Sequence, residues 1–262
     1  MTQAGSITKD LEKAPSALTN RLPLWQWLRR AVLIAGISWG LFVLILAAII
    51  EPTPHNNAMF LSIATSGAYT VVLWVTRPLW LPILGLMPRV SAVLLGILNA
   101  AIVETIFWFF EMLTGAEGIA AHPNLLIDLL ITMPWYIPMV ATFVWVQHRR
   151  RFSAGTVLLL GGLYELGGDG FVGPFISLFL DGNTQVINPV YWLLLGLIAF
   201  WQFILVYSSM LLPSAWLVNK LPPIPKPKLP AWVDAILPLL WLPLFMVYVF
   251  VLILILGFLG VA

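Results

Sequence analysis

Cysteine is absent from this 262-residue chain. That rules out a disulfide framework, thiolate metal sites and a cysteine nucleophile. Charge is scarce: Asp, Glu, Lys and Arg make up 9% of the residues, against roughly 25% in a soluble globular domain. The three histidines, His55, His122 and His148, fall in loops or at the end of an apolar run. A histidine zinc site inside a membrane is therefore not expected. The GxSxG elbow, the HExxH zinc motif and the Walker loop are missing. The last apolar run has no lysine, which excludes a retinal Schiff base there. No run carries the spaced arginines of a voltage sensor. The polar first residues lack the apolar core of a signal peptide, and no internal repeat is visible.

What is plentiful is apolar. Hydrophobic residues make up 61% of the chain, and mean hydropathy is +0.97. Runs of about 20 apolar residues recur, with a helical period rather than the alternation of a barrel strand. The expected fold is an all-α, polytopic membrane bundle of seven helices. The spans are placed at about 31–50, 58–76, 92–114, 124–147, 154–180, 189–212 and 233–258. Residues 1–21 read as a mobile tail and 22–262 as a single bundle. Leu22–Arg30, with Trp25, Trp27, Arg29 and Arg30, reads as a short helix in the headgroup zone. The segment RPLWLPILGLMPR contains Pro78, Pro82 and Pro88 and is short, so it reads as interfacial or re-entrant. Lys220–Pro230, KLPPIPKPKLP, reads as an extended polyproline spacer.

Basic residues orient the bundle. With a cytoplasmic N-terminus and seven spans, all 13 Lys and Arg fall on the inner side. The outer loops 51–57, 115–123 and 181–188 then contain none. So complete a division follows the positive-inside rule and predicts N-in, C-out. It also explains the net charge of +2, which is therefore not read as a nucleic-acid-binding surface. The run His148-Arg149-Arg150-Arg151 fits a topology signal better than a grip on phosphate.

The remaining signal is acidic. Glu104 and Glu111 lie seven residues apart on the third span, so they share one face. Glu165 and Asp169 share a face on the fifth, and Asp128 sits in the outermost turns of the fourth. At about 1.5 Å per residue, Glu104 and Glu165 come near the midplane and Asp169 about 6 Å beyond. An acid at such depth is costly facing lipid, so Glu104, Glu165 and Asp169 are expected to face the interior and to hold a proton or a cation. Asn99, Thr105, Thr132, Tyr136 and Tyr164 are candidate partners. Glu111 and Asp128 also fit plain interfacial residues in contact with water. Asp169 also fits a helix cap after Gly167 and Gly168. Seven glycines lie between Gly155 and Gly173, and the fifth span is expected to break between Leu166 and Phe171. Pro134 and Pro138 should kink or open the fourth. Trp108, Phe109, Phe110 and Trp135 read as core or interface filler.

Three functions fit this pattern. The first is a proton- or cation-coupled permease of the cell membrane using Glu104, Glu165, Asp169, Glu111, Asp128 and Tyr164 as its binding set. The second is a non-catalytic subunit whose polar groups bind helices together. The third is a membrane enzyme acting on a lipid-linked substrate. The expected partners are the bilayer, a proton or cation, and other membrane proteins. The residues specify neither a catalytic set, a metal nor a cofactor.

Overall fold

The computed structural model of the protein describes residues 24–168, 170, 188–225 and 230–258. Helices begin where the sequence supplies a cap. Asn124 opens α5 (Leu125–Arg150), its side-chain oxygen accepting from the amides of Leu126 and Ile127. Ser153 opens α6 (Ala154–Gly167) by accepting from Thr156. Thr53 does the same for α2 (Pro54–Val75), where Pro54 occupies a position whose N–H needs no partner. α4 (Pro88–Thr114) stops at Gly115, whose φ of 69° lies in the left-handed region. The other elements are α1 (Leu24–Ile50) and the short α3 (Arg77–Leu84). One run joins α7 (Pro189–Leu194), a π-helical turn (Leu195–Ala199) and α8 (Phe200–Val218). A last run joins α9 (Ala231–Ile236), a 3-10 turn (Leu237–Trp241) and α10 (Leu242–Phe258). No strand occurs among the described residues.

Six helical runs are long and apolar enough to cross a membrane: 24–50, 54–75, 88–114, 125–150, 189–218 and 231–258. The chain is a membrane-spanning helical protein. Two expectations change. Residues 24–30 are not a separate surface helix but the first two turns of α1. No glycine or proline occurs from Leu24 to Ala35, so nothing breaks the helix at Arg30. The fifth segment is followed for 14 residues, as α6, which is too short to cross alone. α-Helical pairing ends at Gly167, and Gly168 and Gly170 have π-type backbone. Asp169 and residues 171–187, with part of the expected break, lie outside the described residues, as do residues 1–21.

The bundle is organised on α8. Fourteen of its 19 residues are buried, whereas α10 buries one, Val249, of 17. Glycines let neighbours approach α8 closely. A Cβ on Gly96 of α4 would lie 2.5 Å from Val140 Cγ1 and 2.7 Å from Ser214 Oγ. One on Gly162 of α6 would lie 2.9 Å from the Phe200 carbonyl oxygen. Small residues at helix crossings permit such contact where lipid offers no hydrophobic drive. The glycines in the middle of α6 therefore seat it on α8.

Prolines explain two cross-helix bonds. α5 stays helical through Pro134 and Pro138. Pro134 has no N–H for the carbonyl of Leu130, and the Tyr248 hydroxyl on α10 donates to that oxygen at 2.7 Å. In α8, Pro213 likewise frees the carbonyl of Ser209, which accepts from Asn99 Nδ2 at 2.8 Å. Tyr69 on α2 donates to Asn99 Oδ1 at 2.8 Å, extending the tie to a third helix. Asn99 thus serves a proline-freed carbonyl rather than an acid.

Candidate functional site

Glu104 lies in the middle of α4. The Tyr136 hydroxyl on α5 donates to Glu104 Oε1 in a short hydrogen bond. Tyr136 is itself buried, so the phenol reaches Glu104 from a fixed position. Its ring lies 5.8 Å from that of Tyr207 on α8. The Tyr207 hydroxyl accepts from Trp135 Nε1 at 3.1 Å. The end of α6 meets the same group: a Cβ on Gly168 would stand 3.1 Å from Trp135 Nε1 and 3.6 Å from the Tyr207 hydroxyl. Glu165, one turn earlier on α6, is 3% exposed. Four helices therefore converge here. Tyr136, Tyr207 and Trp135 connect the Glu104 carboxyl to the end of the helix that carries Glu165. Trp135, which composition alone marks as filler, supplies a donor within this group.

A carboxyl bonded to a phenol in an apolar bundle can hold a proton and pass it on without moving the backbone. The other expected partners do different work. Thr105 and Thr132 donate to carbonyls four residues back on their own helices, at 2.7 Å to Ala101 and 3.1 Å to Asp128. Tyr164 donates to the Ala235 carbonyl at 2.8 Å, which ties α6 to α9.

Glu111 and Asp128 depart from the interfacial reading. Both are buried, at 5% and 0% exposure. Glu111 Oε2 accepts from the amide of Ile119 at 2.9 Å and, in a shorter bond, from that of Ala120. Asp128 Oδ1 accepts from Ala121 at 2.7 Å. The connection between α4 and α5 has no regular hydrogen bonding of its own at these residues, so its amides need acceptors. Two helices supply them. Among the described residues no three His, Asp or Glu side chains come together as metal ligands.

One acid escaped sequence reasoning. Asp234 on α9 is 1% exposed at its side chain and pairs with Arg150 Nε at 2.5 Å. Arg150 also donates to the Pro230 carbonyl at 3.3 Å, and Arg151 to those of Asn219 and Leu221. The His148 Nδ1 lies 3.3 Å from Arg89 Nη2, and its Nε2 3.1 Å from the Pro222 carbonyl. Arg89 has only donors, so Nδ1 accepts and Nε2–H donates. The basic run at the end of α5 is thus a clasp on the proline-rich connector. The signal was available: Asp234 is the first acid after that connector, at the same end of the bundle as the arginines.

No family model, no curated protein and no solved structure matches this chain.

Proposed function

We propose that the chain is a proton- or cation-coupled permease of the cell membrane, with seven spans and a cytoplasmic N-terminus. Glu104 and Glu165 are its carriers. The partition of the 13 basic residues supports the orientation. The observation that carries the reading is the bond from Tyr136 to Glu104, backed by Tyr207 and Trp135. Acids carried on membrane helices are the usual hardware of proton relays, and Glu165 is buried within this bundle. The test uses purified protein in liposomes containing a trapped pH dye, with an imposed potassium diffusion potential. The wild type should admit protons, and Glu104→Gln should admit them at least about 100-fold more slowly. Wild-type vesicles no leakier than empty ones would refute the proton form of the reading.

The second reading is a non-catalytic subunit. The chain of bonds from Tyr69 through Asn99 to the Ser209 carbonyl favours it, because that polar network serves only to bind helices. The same assay separates the two, since a subunit needs no intrinsic proton flux.

A further inference from the structure

We propose that residues 115–123 form a lid, fastened by Glu111 and Asp128, that controls access along the α4–α5 seam to Glu104. Only the last step, access to Glu104, rests on the proton-site reading above. The argument begins with register. Glu111 stands seven residues beyond Glu104 on α4, and Asp128 stands eight before Tyr136 on α5. Each separation is about two turns, or about 11–12 Å. The facing sides of one helical hairpin therefore carry polar groups at two levels. At the inner level a carboxyl and a phenol bond each other. At the loop level two carboxylates hold three consecutive amides, those of Ile119, Ala120 and Ala121.

Two glycines shape the segment. Gly115 and Gly118 have φ of 69° and 76°, and a Cβ on either would meet nothing within 4 Å. Their glycines are thus required by backbone conformation, not by packing, so no side chain of the loop's turns is locked into the bundle there. A recess of about 550 Å³ lies at the loop, lined by Glu111, Glu117, Ala121 and His122 among others. One further link is from Trp108 Nε1 to the Pro123 carbonyl at 2.7 Å. The carboxylate bonds are charge-assisted, so amide side chains of the same shape hold the loop more weakly. Releasing the loop uncovers the end of the α4–α5 seam, two turns from Glu104.

The native chain has no cysteine, so single reporters are clean. Ala116, 6% exposed in the loop, is the reporter of opening, and core residue Ala100, 0% exposed, reports global unfolding. In detergent, maleimide labelling of Ala116→Cys should speed up at least about tenfold in Glu111→Gln/Asp128→Asn, with Ala100→Cys unchanged. In liposomes the same double variant should raise proton flux severalfold, and adding Glu104→Gln should remove the gain. Unchanged labelling at Ala116→Cys overturns the fastening. Faster labelling without a change in flux overturns the route to Glu104. If Glu104→Gln alone leaves flux intact, the permease reading fails while the labelling result still decides the lid. Should the double variant unfold, the single Asp128→Asn is judged by the same rates.

Discussion

Glu104 and Glu111 stand on one face of α4, two turns apart, and their partners differ in kind. Glu111 accepts from backbone amides of a connecting loop. Glu104 accepts from a tyrosine hydroxyl held among Tyr207 and Trp135. A carboxylate on backbone amides is committed to the shape of that backbone, because losing it strands donors that have no other acceptor. A carboxyl on a phenol can change its protonation while the helices stay where they are. The comparison teaches that two acids on one helix face can differ in what their partners allow: one is fixed to a loop's backbone, the other bonds a side chain that can exchange a proton.

The comparison can be broken most directly at the other deep acid. Glu165→Gln should leave the fold intact and cut proton flux in liposomes by about 100-fold or more. A proportionate loss of thermal stability would move Glu165 to the structural side. The next largest effect is expected on stability, at the clasp. Arg150→Ala leaves the Asp234 carboxylate buried without its cation, at a cost of about 3–5 kcal/mol. The double variant Arg150→Ala/Asp234→Ala should recover much of it, measured by thermal unfolding in detergent. Asn99→Ala strands the carbonyl that Pro213 leaves free, costing about 1–3 kcal/mol; restoring the N–H with Pro213→Ala in the same protein should reduce the loss. The smallest effect is expected from Tyr248→Phe, about 0.6 kcal/mol, since it removes one interhelical bond at the edge of the bundle.

Much of this architecture was readable in the residues. Apolar runs announce the membrane helices, and Asn124, Ser153 and Gly115 mark ends that the backbone adopts. Tyr136 is among the five candidate partners that the residues offer the acids, and it is the one that bonds Glu104. What stayed hidden depends on partners without side-chain identity. The amides of Ile119–Ala121 carry no sequence signature, so Glu111 and Asp128 read as site candidates or as interfacial acids, not as anchors for a loop. The roles of Asn99 and Tyr248 follow only once it is known which helix faces the carbonyl that a proline leaves open. Asp234 looked unremarkable because its cation lies 84 residues away in the chain. The first turns of α1 were misplaced for a simpler reason. Tryptophan and arginine signal an interface, but nothing in that stretch stops a helix from running through it.

The most direct test of the account sets Glu104→Gln beside Glu111→Gln in one preparation, reading proton flux in liposomes and thermal midpoint in detergent. The account predicts that Glu104→Gln loses flux by about 100-fold at an almost unchanged midpoint. It predicts that Glu111→Gln keeps or raises flux while its midpoint falls, because the loop loses a charge-assisted fastening. Equal and small effects on flux in the two variants, or a loss of flux in Glu104→Gln that its lower stability fully explains, would contradict it.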